Sequence, residues 1–236
     1  MTIDDWSSFW KKPNNAFNSV MKVSTDFFSR KLAKRYPFKA GESILDYGCG
    51  PGFLVGNLVA AGVKVTGADI NESFLEENRK NFSGCDFIRI SAEPATTLKI
   101  LSEKLYGKQF DRIILLSIIQ YFRSQQEVEE VVRFLKGYLK AGGQMIIADV
   151  IDEKTSSARD AMGIFIQCVR QGRILAFASF ILYLQGSDYR KVSSKIKLLS
   201  LSYDSMKRLA DNCSMSLAES KGMTPHPTRS NYILSH

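Results

Sequence analysis

The chain has 236 residues, 44% of them hydrophobic, and a formal net charge of +8. That length suits one large domain or one domain with a cap, and the composition is ordinary for a soluble globular protein. No apolar run reaches the roughly 18 residues that a spanning helix needs; the longest, Ile174 to Leu184, is shorter and holds Ser179. The opening MTIDDWSSFW lacks a basic start followed by an apolar stretch, so it does not read as a secretory signal. Cysteines at 49, 85, 168 and 213 form no CxxC pair and there are only two histidines, so neither a zinc site nor a disulfide framework is expected. The simpler reading is free thiols in a reducing cytoplasm, with no metal. The positive charge favours anionic partners such as nucleic acid, a membrane surface or a phosphorylated substrate, or serves solubility alone.

Residues 1 to 13 carry Trp6, Phe9 and Trp10 among polar residues. From Asn15 a helical pattern places Phe17, Val20, Met21, Phe28 and Leu32 near one face, and Tyr36-Pro37 ends it because the residue before proline resists helix. Ser43 to Tyr47 reads as a buried strand and Gly48 to Gly52 as a loop. A helix from Phe53 to Ala61 is stopped by Gly62. Val63 to Ile70 predicts a second strand, Glu72 to Asn81 a helix, Asp86 to Ile90 a third strand and Thr96 to Tyr106 another helix. Phe110 to Ser117 is a strongly apolar strand, and Gln125 to Leu139 a helix with a charged face. Ala141-Gly142-Gly143 predicts a turn into a strand from Gln144 to Val150. Strands alternating with helices imply a parallel sheet covered on both faces. The rhythm breaks after Val150. Apolar helical stretches at 161–169 and 174–184 lie among basic residues, and Tyr203 to Asn212 resumes a helix. Ser214 to Lys221 and Asn231 to Ser235 predict two closing strands, joined by a loop holding Pro225, His226 and Pro227.

The segment Asp46-Tyr47-Gly48-Cys49-Gly50-Pro51-Gly52 follows a strand and precedes a helix. Glycines there let the chain turn sharply and let a ligand press against bare backbone, while the helix start supplies free N–H groups. A dinucleotide loop reads GxGxxG and a Walker A loop needs Gly-Lys-Ser/Thr; neither fits, since Phe53 follows Gly52. Asp69 ends the second strand nineteen residues after Gly50. An acidic side chain about 20 residues on can accept hydrogen bonds from ribose hydroxyls, or it can serve the start of the next helix together with Asn71.

The string ILDYGCGPG, an acidic residue followed by GxGxG, resembles motif I of the class I S-adenosylmethionine-dependent methyltransferases. The resemblance covers residues 41 to 150 well and extends to the two closing strands. It implies an α/β, Rossmann-like, doubly wound and mostly parallel seven-stranded sheet with an antiparallel closing strand. The whole is expected to comprise an N-terminal helical extension (1–40), a cofactor-binding core (41–154), a helical lid insertion (155–200) and the C-terminal part of the core sheet (201–236). The implied cofactor is S-adenosyl-L-methionine. Asp46 would act near its amino group and the backbone of Gly48, Cys49, Gly50 and Gly52 near its carboxylate. Asp69 would hold the ribose. Ile70, Ala92 and Glu93 would surround the adenine, and Ser117 would lie beside the methionine portion. Because Asp69 ends a strand instead of filling the core, its loss is expected to weaken the cofactor without harming folding. Cys49 reads as a small packing residue, not as a nucleophile.

A sulfonium methyl is already electrophilic, so alignment of a nucleophile is the main task, with a general base where the acceptor must lose a proton. Ligands in open α/β sheets sit outside the carboxyl ends of the strands, which selects Ser117 to Phe122 and Asp149. Gln120 and Tyr121 are acceptor-site candidates with Trp6 and Trp10, and Tyr121 is also a catalytic candidate, although it could simply pack on the sheet. His226, flanked by prolines, could take a proton near neutral pH; its simpler reading is a histidine on a surface loop. The fourth strand is not followed by the Asn/Asp-Pro-Pro-aromatic pattern of adenine and glutamine methyltransferases, and no Pro-Cys pair is present for attack on cytosine. A small-molecule O- or N-methyltransferase, with an anionic or amphiphilic acceptor under the lid, is therefore the leading reading. An RNA or protein methyltransferase and a catalytically silent binding subunit are the alternatives. Nucleic acid is not favoured as a partner. The 155–200 segment could instead form a homodimer interface or touch a membrane surface.

Overall fold

The computed structural model describes residues 9–10, 15–186, 192 and 196–236. Trp6 lies outside the described residues, as do Arg190, Lys191 and Lys195 of the basic segment. The elements in chain order are α1 (Asn15–Arg35), β1 (Ser43–Tyr47), α2 (Phe53–Ala60), β2 (Lys64–Asp69), α3 (Glu72–Asn81), β3 (Asp86–Arg89), α4 (Pro94–Lys104), β4 (Phe110–Leu116), α5 (Gln125–Lys136), β5 (Leu139–Val150), α6 (Ser157–Arg170), α7 (Ile174–Gly186), α8 (Tyr203–Asn212), β6 (Ser216–Glu219) and β7 (Ser230–Ser235). The seven strands form one sheet in the order β3-β2-β1-β4-β5-β7-β6. β1 pairs in parallel with both β2 and β4, whereas β7 runs antiparallel to β5 and β6. Strand order reverses between β1 and β4, so the loops leaving these two strands diverge and open a crevice at their carboxyl ends.

Alternation along the central strands feeds two cores. Leu45, Ile113, Leu115, Met145 and Ile147 face one side, where α4, α5 and α8 cover them with Leu101, Val131, Leu135 and Leu209. Ile44, Val65, Ile114 and Ile146 face the other, under Phe28 and Leu32 of α1, Leu54 and Leu58 of α2 and Leu75 of α3. Burial on both faces explains why these strands read as unbroken apolar runs. Full burial of one such side chain stabilises the fold by roughly 1.5–3 kcal/mol.

Several helix starts follow from local chemistry. Ser124 accepts a hydrogen bond from the Glu127 N–H, and Asn71 accepts one from the Phe74 N–H, satisfying N–H groups that have no partner inside the helix. α4 starts at Pro94 instead of Thr96, because proline suits the first helical turn, where its missing N–H costs nothing. The expected turn at Ala141-Gly142-Gly143 is instead part of β5. Leu139 already pairs with Phe110, and a register shift between Phe110 and Arg112 absorbs the glycines. A Cβ on Gly143 would stand 2.9 Å from the Lys140 carbonyl oxygen, so only a glycine fits that irregularity. The first closing strand is also shorter than expected, spanning only Ser216–Glu219.

α1 joins the sheet to the helices that follow β5. Its second half buries Phe28 and Leu32 in the core beneath α2, and Asn57 of α2 donates to Asp26 Oδ1 at 3.1 Å and to Ser29 Oγ at 3.0 Å. Its first half packs Val20 and Val23 against Ile164 and Cys168 of α6, with Phe177 and Phe180 of α7 beside them.

Candidate functional site

The crevice at the carboxyl ends of β1 and β4 is a cavity of about 730 Å³. The glycine loop forms one wall. Gly48, Gly50 and Gly52 all have φ between 49° and 84°, a left-handed region that side chains disfavour. At Gly50 an added Cβ would meet nothing within 4 Å, so this backbone stands open toward the cavity it lines. At Gly52 the reason is different. A Cβ there would lie 2.2 Å from Asn78 Oδ1, and Gly52 does not line the cavity. Its role is to start α2 against α3.

Asp69 secures this loop. Its Oδ2 accepts the Gly50 N–H at 2.8 Å and its Oδ1 accepts the Asn71 N–H at 2.8 Å. Each carboxylate oxygen has a second lone pair for another donor. Burial raises the Asp69 pKa, opposed by the N–H groups of Asn71, Gly50 and Ile70. Asp46, at the end of β1, is deeper. Burial, and then the neighbouring Asp69, push its pKa up to about 8. Asp46 Oδ2 is buried with no hydrogen-bond partner among the described residues. A buried orphan acceptor beside an open glycine backbone fits a ligand that brings its own ammonium donor. Burial, with Asp46 and Asp69, likewise holds the Cys49 thiol well above its usual range, in its neutral form, which agrees with packing and not nucleophilic attack.

The opposite wall carries a polar network. His226 Nδ1 lies 2.6 Å from Asp149 Oδ1. Asp149 Oδ2 accepts from Ser117 Oγ at 2.6 Å and from Arg229 Nη1 at 2.7 Å. Arg229 Nε then donates to Asp160 Oδ2 of α6 at 3.0 Å, and Asp160 Oδ1 accepts from both the N–H and the hydroxyl of Thr228. Burial works against charge on Asp149, but Arg229, His226 and Ser117 outweigh it and hold the carboxyl well below the usual carboxylate range. Ser117 and Asp149, at the ends of adjacent strands, have φ of 55° and 69°. Such backbone costs on the order of 1–3 kcal/mol per residue and persists where surrounding contacts enforce it.

His226 is therefore not a surface histidine. The loop that bears it is pinned between Asp149 and α6, and its side chain is only 11% exposed. The cavity also gathers Asp46, Gly48, Cys49, Gly50, Asp69, Ile70, Ala92, Ser117, Gln120, Tyr121 and Trp10. Trp10 packs edge-on against Tyr121, with centroids 5.4 Å apart, and its carbonyl accepts from Asn71 Nδ2 at 2.7 Å. Glu93 stands outside the cavity wall. It occupies the cap position of α4 and accepts from Thr96 Oγ1 at 2.7 Å, so its side chain is committed to the helix start. Sequence reasoning missed Arg229 and Asp160. The available signal was Asp160 itself, an acid four residues before Ile164 and so on the same inward face of an amphipathic helix.

Comparison with known proteins agrees with this geometry. Residues 38–189 match the family described as methyltransferase domain. Among curated proteins, the chain is 26% identical over 154 residues to a demethylmenaquinone methyltransferase of Clavibacter sepedonicus, covering 64% of this chain and 59% of that one. It is 29% identical over 115 residues to a ubiquinone biosynthesis O-methyltransferase of Pseudomonas paraeruginosa, covering 47% of this chain and 45% of that one. The chain thus spans about half the length of these relatives. Among solved structures, it is similar in fold to the SAH-bound magnesium protoporphyrin IX methyltransferase of Synechocystis. There the TM-score is 0.55 and the identity 15%, over 95% of this chain and 87% of the other.

Proposed function

Since the chain belongs to the class I S-adenosylmethionine-dependent methyltransferases, we propose that it methylates an oxygen or nitrogen atom of a small amphiphilic molecule, with His226 as the general base. The observation that carries this reading is the 2.6 Å contact between His226 Nδ1 and Asp149 Oδ1 in the cavity wall.

The residues present fit the cofactor. Asp46 would receive the amino group, the open backbone at Gly50 the carboxylate and Asp69 the ribose hydroxyls. Ile70 and Ala92 would flank the adenine. When bound, the cofactor supplies a methyl group on a positively charged sulfur. The protein then holds the acceptor atom in line behind that carbon, which can supply on the order of 7–11 kcal/mol.

Asp149 is held in its ionised form, so in the shared contact it accepts and His226 Nδ1 donates. That tautomer leaves Nε2 as the remaining basic atom of the ring. When the acceptor oxygen takes the methyl group, its proton would pass to His226 Nε2. Asp149 stabilises the resulting imidazolium. A positioned base of this kind contributes roughly 10²–10⁴-fold.

The acceptor side of the cavity is mostly apolar, with Phe17, Val20, Ile164 and Phe180 among its lining residues. The one arginine of the network, Arg229, is bonded to two carboxylates. Its charge is compensated, which favours an amphiphilic acceptor over an anionic one. The relatives named above, a demethylmenaquinone methyltransferase and a ubiquinone biosynthesis O-methyltransferase, agree with a small-molecule acceptor. The test is turnover of methyl-labelled cofactor against a panel of hydroxylated and aminated aromatic amphiphiles, short RNA and a protein extract. Label entering only the polymers would overturn the reading.

A further inference from the structure

α6 and α7 each bury one face and leave the other apolar face in water. On α6, Met162, Phe165, Ile166 and Val169 recur at helical spacing and are all exposed, Met162 by 57%. On α7, Ile174, Leu175, Ile181 and Leu182 are exposed, Leu175 by 82% and Leu182 by 70%, and the helix carries no charged residue at all. The two helices lie side by side, with the exposed ring of Phe165 5.2 Å from the half-buried ring of Phe177. Neither stripe serves the core, because the inward faces of the same helices already pack Ile164, Cys168, Phe177 and Phe180 against α1. Contiguous exposed apolar surface of this kind marks a partner.

Charge selects the partner. Between Ser157 and Leu184 the exposed charged residues are Arg159, Arg170 and Arg173, and the single acid, Asp160, is buried and bonded to Arg229. Arg159 and Arg170 fall at helical spacing from Met162 and Ile166, so they border the stripe. A second copy of this chain would bring the same arginines to the contact and no exposed acid from these helices to pair with them. An anionic bilayer would instead pair them with lipid phosphates while the stripe enters the headgroup boundary. No helix among the described residues is long and apolar enough to cross a membrane, so the contact is one of surface.

We propose that the outer face of α6 and α7 seats this protein on an anionic lipid bilayer. The inner faces of the same helices supply Ala161, Ile164, Phe180 and Leu184 to the cavity. An amphiphilic acceptor, if the reading of the preceding subsection holds, would thus reach the site from the lipid. The seating itself does not depend on that reading.

The experiment is flotation of the full chain with phosphatidylcholine vesicles, with and without phosphatidylglycerol, at several salt concentrations. The protein should float with the anionic vesicles, and less as salt rises. Leu175→Ser with Leu182→Ser should weaken partition at least about tenfold. Arg170→Gln with Arg173→Gln should weaken it about 25-fold on anionic vesicles, at about fivefold per arginine. All these side chains lie outside the cavity wall, so binding of S-adenosylhomocysteine, measured by calorimetry, should be unchanged and reports an intact fold. Absence of flotation with anionic vesicles overturns the proposal. So does a Leu175/Leu182 variant that floats like the parent, or a dimer in sedimentation that this variant converts to monomer while neither protein floats.

Discussion

Gly163 of α6 lies directly on Pro225: an added Cβ would stand 2.1 Å from the Pro225 carbonyl oxygen and 2.8 Å from Pro227 Cδ. The helix over the cavity and the loop that carries His226 are therefore one packed unit, joined again by Asp160 and Arg229. Gly163→Ala should force α6 and the loop apart, since neither backbone nor a proline ring yields easily. Overpacking costs roughly 1–3 kcal/mol of stability. A displacement of His226 by about 1 Å should lower kcat on the order of a hundredfold. The glycine loop is remote from this contact, so affinity for S-adenosylhomocysteine should change little. Thermal melts, calorimetry and single-turnover rates would check the three expectations. A normal rate would show that the loop is not held by the helix.

Asp69 binds the glycine loop to the start of α3 through two backbone N–H groups. Its loss should therefore be felt by the fold as well as by a bound cofactor, whereas its place at a strand end alone predicts no harm to folding. Asp69→Ala should leave both donors without this partner, and the buried Asn71 N–H alone should cost roughly 1–3 kcal/mol. Thermal stability of the free protein should fall, and cofactor affinity should fall by about 5–150-fold. Asp69→Asn, which keeps one acceptor oxygen, should recover part of each. Calorimetry with S-adenosylhomocysteine on both variants decides it, and unchanged affinity in the alanine variant would remove Asp69 from the ribose site.

The glycine wall was legible in the sequence because it is local. Asp46, Gly48 and Gly50 fall within five residues, and the strand before them and helix after them fix their orientation. The His226 wall was not. Asp149 and His226 are 77 residues apart, and they meet because β7 runs antiparallel beside β5 with Val150 opposite Ser230. That register is set by strand pairing, which leaves no linear spacing to read. Gly142 and Gly143 misled for the opposite reason. Their local pattern matches a turn, but pairing of Leu139 with Phe110 carries the strand through it. Gly52 shows a further limit, since a motif position demanded by packing against Asn78 looks the same as one demanded by a ligand.

Asp149 and His226 should separate chemistry from binding. His226→Asn should lower kcat by roughly 10²–10⁴-fold while leaving cofactor affinity within a few-fold. Asp149→Asn should lower stability as well as kcat, because Arg229 and His226 lose an ionised partner. Breaking a buried pair of this kind costs roughly 3–5 kcal/mol. The carboxyl of Asp149 is held below its ordinary range in the folded protein. Its contribution to stability is therefore present above the unfolded-state value of about 3.9 and is lost as pH falls below it, toward the folded-state value. Urea unfolding of parent and Asp149→Asn at pH 7 and pH 3 should show their stabilities converging at the lower pH. A constant gap between the two curves would mean that the Asp149 charge does not support the fold.

If Asp46 receives the amino group as proposed, cofactor binding should be coupled to loss of its proton. In the free protein its pKa is pushed up to about 8 by burial and by Asp69, so at pH 7 the carboxyl is mostly neutral. With its folded value raised above that of the unfolded chain, the group stabilises the free fold most at low pH, and this contribution fades as pH rises through about 8. An ammonium placed against the orphan Oδ2 favours the carboxylate and drives the proton off. Binding of S-adenosylhomocysteine near pH 6.5 should therefore release close to one proton, and affinity should rise with pH by at most about tenfold per unit. The gain should end near pH 8, where an α-amino group itself begins to lose its proton at about 7.7–8.0. Calorimetry in two buffers of different ionisation enthalpy reads the proton count directly. Asp46→Asn, which cannot titrate, should bind more weakly with no proton release and a flat profile below pH 7.5 or so. If the parent released no proton at pH 6.5, Asp46 would not be the partner of the amino group, and the orphan oxygen would need another explanation.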